Sequence, residues 1–508
     1  MSDDDRLRPE RGDVGGDLGY GFEAAEPPEP APLGVSAARG VGLLVGRTLG
    51  LQLLTAGVTV VLARLLTPAD YGMFALALSI QLAGQRLAEL GMPAALIGQD
   101  AEPSAEQQAA VAGAMLSTSL LVSGTLFTVA FALMPALGVD SEALRVVAVA
   151  GVAMPFYSAR GVPTALMERN LRFGRVALVE AADTLTFNAF ALVGALAGLG
   201  AFSLAGAVPV GALASMIAAW ALQPFARRPR LRLDPLRPML RFGAQITLVQ
   251  AINVMQEVGF VTALTAVGGS ATAGFYAMAK RLFSFPIALT GAVSRVSFPA
   301  LSRSPGLRPG RAAKAALYTT IIAGLPLALV AGAVQPLIGV VLGDAWMPTS
   351  DVVLAGSLGM MVAASANATM IGYAFAEGAV GSVVAAVGLE ALLACSLAIA
   401  LTASLGETGI GLALTVANLS AMVVLAIRTH PTIRRSLLVV LKMSLISGLA
   451  VLVAQLAGVA DDAFGLVVAL ATVAVVWLPL QLIFCRAEMR SFFQLIRPML
   501  LRGANAAA

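Results

Sequence analysis

The sequence predicts an all-α polytopic membrane protein. Of its 508 residues 58% are hydrophobic and only 12% charged, whereas a soluble domain keeps about a quarter of its residues charged. Mean hydropathy is +0.85. Apolar runs of about 20 residues, the length that spans a hydrocarbon core, recur between residues 40 and 484. A transmembrane β-barrel would need alternation at period two in segments of about ten residues, and no such pattern is present.

The apolar windows, taken in order, give about fourteen helices at 41–63, 73–97, 110–134, 145–167, 176–198, 203–222, 243–267, 274–299, 315–341, 352–375, 381–404, 409–427, 438–458 and 464–484. Short glycine-containing links, "GALAGLGAFSLAGA" and "LGETGIG", divide two of the hairpins. The connections then alternate in charge. One set carries Arg169, Arg172 and Arg175, the six arginines from Arg227 to Arg241, the cluster Arg303 to Lys314, and Arg428, Arg434 and Arg435. The other set is short and neutral or acidic, with Arg64 and Arg145 its only basic members. The positive-inside rule places the basic set and both termini in the cytoplasm. The expected address is a bacterial cytoplasmic membrane.

Residues 1–38 are rich in Pro, Gly and acid and read as a disordered cytoplasmic tail. The chain starts acidic rather than with a basic stretch leading into an apolar one, so it does not read as a cleavable signal peptide. An N-terminal lobe of six helices is expected over 39–222, a basic cytoplasmic linker over 223–242 and a C-terminal lobe of six over 243–430. Two further helices follow over 431–485, then a cytoplasmic tail over 486–508. The linker contains six arginines and repeated prolines, which suit an anionic inner leaflet and forbid one continuous helix. An internal repeat supports the division. Ala69-x-x-Gly72-x-Phe74-Ala75-x-Ala77 opens the second helix, and Ala271-x-x-Gly274-x-Tyr276-Ala277-x-Ala279 opens the eighth. Equivalent placement in the two sixes points to two lobes of parallel topology with a pathway between them.

Several function classes fall away. The net charge of +4 belongs to the cytoplasmic loops, so no nucleic-acid partner is expected. Cys395 and Cys485 lie in different apolar segments and imply neither disulfide nor metal. No G-x-x-x-x-G-K-[ST] motif assigns ATP to this chain. His430 is the lone histidine, in a polar loop read as surface, and the outside loops are short. A polymerase, ligase or acyltransferase would need a catalytic constellation that the sequence does not offer.

The stretches "ARLLTPADYGMFALA", "AELGMPAALIGQ", "RNLRFGRVALVE", "GFYAMAKRLFSFPIALTGAVSRVSFPALSR" and "LGDAWMPT" resemble the signatures of the polysaccharide transporter family. That family includes Wzx-type flippases in the multidrug/oligosaccharidyl-lipid/polysaccharide (MOP) superfamily, and the likeness covers roughly residues 40 to 430. It implies two six-helix lobes around a central cavity, alternating access, and movement of an undecaprenyl-pyrophosphate-linked oligosaccharide to the outer leaflet for O-antigen, capsule or exopolysaccharide assembly. Implied partners are that cargo, membrane lipids, a polysaccharide polymerase and export machinery. The competing transporter readings are a MATE-like ion-coupled exporter and a murein-precursor flippase.

An ionisable side chain at the bilayer centre costs from about 3 to above 10 kcal/mol, so it faces protein or a wet cavity. The cations within expected helices are Arg47, Arg86, Arg160, Lys280, Arg281 and Arg295. A pyrophosphate cargo gives them a reason, because guanidinium and ammonium groups bind its oxygens strongly at a low-dielectric site. They are therefore the candidate substrate-binding residues. The plainer alternative has Arg47 and Arg295 snorkelling to headgroups and Arg86 pairing with Glu89. Gln81, Gln85 and Glu89 form a polar stripe at i, i+4 and i+8 beside Arg86. Lys280 and Arg281 point about 100° apart and so are not both expected to look into one cavity. The intramembrane acids Glu89, Glu180, Asp183, Glu257 and Glu390 are candidates for charge pairing or ion coupling, with pairing favoured for any one of them. No cofactor or metal is expected, and a proton or sodium gradient is the candidate energy source.

Overall fold

The computed structural model describes residues 50–494 except 99–101, 225–228, 231–236, 303–307, 364–369, 372, 375–376, 378, 429 and 458–459, and at 94, 98, 130, 137, 237–250, 285, 288–302 and 308 it describes backbone only. The expected N-terminal tail, Arg47, most of the basic linker, the Arg295 side chain and the end of the C-terminal tail lie outside the described residues.

Every regular element among the described residues is helical. The chain runs through α1 (Gly50–Leu65), α2 (Pro68–Glu89), the short α3 (Met92–Gly98) and α4 (Ala105–Leu133). One membrane-length stretch, Ser141–Arg169, follows as α5 (Ser141–Gly151) and α6 (Ala153–Arg169), then α7 (Phe173–Leu196) and α8 (Ala201–Leu222). Beyond the linker come α9 (Arg237–Ser302), α10 (Arg308–Gly332), the one-turn α11 (Val334–Leu337) and α12 (Thr349–Val362). The last four are α13 (Val380–Leu405), α14 (Glu407–Ile427), α15 (Pro431–Leu456) and α16 (Ala463–Phe484).

Local chemistry sets several of these boundaries. In "LLTPADYG", Pro68 opens α2 and Thr67 caps it: the Asp70 amide donates to Thr67 Oγ1 across 3.2 Å, while Asp70 Oδ2 accepts from the Thr67 amide at 2.9 Å. His430 is exposed, as its loop suggested, and its Nδ1 caps α15 by accepting from the Thr432 amide at 3.2 Å. Glycines at positive φ, Gly198 and Gly200 before α8 and Gly406 before α14, make the two short hairpin links.

Ten stretches are long and apolar enough to cross a membrane, against about fourteen expected helices. The chain is thus a multi-pass membrane protein, and the difference has identifiable sources. Gly50–Leu65 and Thr349–Val362 are shorter apolar helices, the latter because residues 364–369 lie outside the description. The polar stripe of α2 keeps it out of the ten. The expected seventh and eighth helices, 243–267 and 274–299, both lie along α9, which enters the ten once, as Ala251–Ser284. Gly269, at φ 80° and ψ 178°, breaks the helical path of α9 there. Its two arms fold back on each other, with the Phe260 and Tyr276 rings 4.9 Å apart.

Helix pairs follow the hairpins: α7 packs on α8, α13 on α14, α12 on α14 and α10 on α15, while α2 runs along α9. The C-terminal pair is tied by buried polar bonds, Trp477 Nε1 to Ser447 Oγ at 2.9 Å and Gln481 Nε2 to the Met443 carbonyl at 3.0 Å. In hydrocarbon such bonds replace those that water would supply.

Candidate translocation cavity

The two copies of the repeated turn meet. A Cβ on Gly72 would collide with the Ser270 carbonyl, and one on Gly274 with the Pro68 carbonyl, so α2 and the second arm of α9 touch backbone to backbone. Only a residue without a side chain allows this approach. Around it lies a clasp of sequence-distant groups. Trp346, fully buried, donates from Nε1 to the Ala63 carbonyl at 2.9 Å and stands edge-on to Tyr71, with ring centres 5.1 Å apart. Arg64 donates to the Val340 and Val341 carbonyls at 2.7 and 3.1 Å. The aromatic turn "LGDAWMPT" and the basic exception Arg64 therefore seal one end of the molecule, the end expected outside.

Beneath this seal, α2 and the two arms of α9 enclose a cavity of about 310 Å³. The α2 wall is aromatic and apolar, with Phe74, Leu78 and Leu82; the α9 wall carries Glu257, Tyr276, Lys280 and Arg281. Lys280 Nζ lies 2.6 Å from Glu257 Oε1, with side-chain exposures of 54% and 32%. The Tyr276 hydroxyl donates a long, 3.5 Å bond to Glu257 Oε2. Arg281 donates from Nη1 to Thr59 Oγ1 at 2.9 Å, and its guanidinium carbon stands 5.2 Å from the Tyr71 ring centre. Such stacking satisfies a cation without cancelling its charge.

Adjacency in the helix does not keep Lys280 and Arg281 out of one cavity. Their bonds to the helix do diverge by about 100°, yet both line the cavity because each long side chain turns to a different wall. Lys280 reaches the other arm of its own hairpin, and Arg281 reaches α1 and α2.

The remaining candidates lie apart from this lining. Arg160 and Asp183 pair at 2.8 Å between α6 and α7, with side chains 22% and 18% exposed, and the Tyr157 hydroxyl donates to the other Asp183 oxygen at 3.4 Å. The Asp183 carboxylate lies against Gly211 of α8, where a Cβ would crowd it. The α2 stripe forms a bonded ladder, Gln81 to Gln85 at 3.4 Å and Gln85 to Glu89 Oε1 at 3.0 Å. Arg86 is exposed and makes no ion pair with Glu89 within 4.0 Å; the Glu89 carboxylate accepts from Gln85 instead. Glu180 is exposed on α7. Glu390 accepts from Gln256 Nε2 at 3.4 Å, beside a separate apolar groove of about 360 Å³ between α9 and α13.

Thr59, Tyr71 and Tyr276 are site residues that the charge count passed over. Tyr276 carried a signal, since it sits one turn before Lys280 on the same face. Thr59 and Tyr71 carried none, because a neutral side chain becomes part of a cation site only through packing.

Comparison with known proteins agrees with this architecture. Succinoglycan biosynthesis transport protein ExoT of Rhizobium meliloti (strain 1021) is 26% identical over 303 residues, 59% of this chain and 60% of that protein. The chain thus matches less than two thirds of that relative's length. The fold is that of lipid II flippase MurJ in its inward closed conformation, with TM-score 0.69, 14% identity, and coverage of 88% of this chain and 99% of that one. An inward-facing multidrug resistance MATE family transporter of the MOP superfamily is also similar, at TM-score 0.47 and 17% identity over 77% of this chain and 93% of that one. Residues 61–351, more than half of the 508, match the family described as "Polysaccharide biosynthesis protein", and the chain belongs to that family.

Proposed function

We propose that this protein is a flippase that carries an undecaprenyl-pyrophosphate-linked oligosaccharide across a bacterial cytoplasmic membrane for surface polysaccharide assembly. The observation that carries the reading is the cavity between α2 and the α9 hairpin, where Lys280 and Arg281 face one space against a single carboxylate, Glu257. Two cations on a low-dielectric wall suit the two charges of a pyrophosphate diester. The apolar α2 wall suits the first isoprene units of its tail, while the rest of the chain stays in lipid. The family and the transport protein ExoT support the same cargo class.

In this reading the halves before and after the linker rock about the cavity, and the sealed end faces outward. The head group loads from the cytoplasm and leaves once the contact between Gly72 and Gly274 parts. A proton or sodium gradient supplies the energy, with Asp183 and Glu390, two of the acids remote from the lining, as its candidate sensors.

The test is leaflet exchange of a labelled undecaprenyl-pyrophosphate oligosaccharide by purified protein in liposomes, with an imposed gradient. Wild type exchanges the lipid, Arg281→Ala loses at least about tenfold of that rate, and Arg86→Ala keeps most of it; tenfold corresponds to about 1.4 kcal/mol. Exchange of lipid II in preference to every oligosaccharide lipid would move the assignment to murein precursors. No exchange of any pyrophosphate lipid would sink it.

A further inference from the structure

A cavity that receives an anion gains nothing obvious from an anion of its own, yet Glu257 stands in it. Three observations describe how it is held. First, its pair with Lys280 is open: the lysine side chain is half-exposed, unlike the more enclosed Arg160 and Asp183. An ion pair left this accessible adds little stability and exchanges partners readily. Second, Glu257 has an anchor other than the lysine, because the buried Tyr276 hydroxyl reaches its second oxygen. Third, the neighbouring Arg281 is treated differently, held by the Thr59 hydroxyl and the Tyr71 ring with no carboxylate partner among the described residues. The cavity thus offers one cation already committed to a carboxylate and one that is not.

We infer that Glu257 is an internal competitor for the cargo's phosphate. It holds Lys280 while the cavity is empty, yields it when a pyrophosphate arrives, and takes it back as the cargo leaves. The inference rests on the pyrophosphate reading of this cavity. Carboxylate and phosphate offer an ammonium the same kind of acceptor, and lysine is a point charge with rotatable donors, not a planar fork fixed to one partner. The first phosphate meets Arg281, which has no acid to give up among the described residues. The second then competes with Glu257 for Lys280, and Tyr276 keeps the displaced carboxylate hydrogen-bonded. A conducted ligand must bind well enough to enter and loosely enough to leave, and a tethered competitor serves the second need.

This role gives a sign that a structural role does not. Removing a merely structural carboxylate weakens the site, whereas removing a competitor tightens it. The experiment uses the full chain in lipid nanodiscs with geranylgeranyl pyrophosphate as probe and geranylgeraniol as the uncharged control. Leaflet exchange is measured in parallel on liposomes. Glu257→Gln keeps an oxygen for Tyr276 while removing the charge. Glu257→Ser removes the charge by another route, so that one poorly inserted variant does not decide the outcome.

The expected result is pyrophosphate binding about tenfold tighter than wild type in both variants, within the span of ordinary coupling between sites. Exchange is slower, and geranylgeraniol binding is unchanged. Adding Lys280→Gln to Glu257→Gln removes the gain. Wild-type binding with equal or weaker binding by the Glu257 variants overturns the competitor and leaves the head-group reading standing. Failure of wild type and variants alike to bind the pyrophosphate overturns both.

Discussion

Lys280 and Arg281 are chain neighbours whose charges are handled by different chemistry, a carboxylate for one and a hydroxyl with an aromatic face for the other. The same contrast separates the cavity from the rest of the intramembrane charge. Arg160 and Asp183 form a more enclosed pair with Tyr157, whose ring lies 4.5 Å from the guanidinium carbon. Truncating one partner there leaves the other charge uncompensated in a low-dielectric setting, so Asp183→Ala should cost about 3 kcal/mol. Thermal unfolding in detergent reads that loss, and Arg160→Ala in the same chain should recover part of it. The sequence revealed which positions carry charge inside the membrane, because an apolar background makes each one stand out. It did not reveal their partners: Asp183 finds Arg160 across 23 residues and Arg281 finds Thr59 across 222. The choice among several nearby opposite charges is made by helix packing, not by spacing.

Whole elements were more legible where a turn needs special backbone. Gly198, Gly200 and Gly406 stand at positive φ in the two glycine-containing links, and Gly269 does so in the gap between the expected seventh and eighth helices. Thr67, Pro68 and Asp70 announce the start of α2 by a capping box that needs only local atoms, and Thr67→Ala should cost about 1 kcal/mol. The bounds of the expected second span, 73–97, fared worse: the chain breaks at Leu90 and Gly91, both at positive φ, so that α2 ends at Glu89 and the short α3 follows. The seal between α2 and α9 gives an element-scale prediction. Gly274→Val inserts a branched side chain where a single Cβ already meets the Pro68 carbonyl. The two helices must then part, and the sealed end loses population even though every side chain of the clasp is intact. Trp346→Ala should open the same end by another route, at about 3–5 kcal/mol for an aromatic residue removed from a full core.

At the scale of the whole molecule, these openings can be read from the two sides of a membrane. Ser284 lines the cavity and is exposed. In a chain freed of Cys395 and Cys485, Ser284→Cys should react with an impermeant thiol reagent added on the cytoplasmic side and resist it on the outer side. Adding Gly274→Val should bring reactivity to the outer side. Equal reactivity from both sides in the parent chain would mean that the contact between α2 and α9 does not close a pathway.

The contact at Gly72 and Gly274 also has the character of a homodimer interface folded into one chain. Each glycine belongs to a copy of the same motif, and each would strike a carbonyl of the other copy's helix start. A surface that binds its own duplicate is self-complementary, as in a twofold-symmetric dimer. A bulky residue at either copy therefore strikes the other copy, and neither glycine can be relieved of its neighbour by changes on its own helix. Two motifs 202 positions apart in sequence are held to one joint shape, so this seam should be the slowest part of the molecule to diverge, while the cavity walls beneath it are under no such joint constraint.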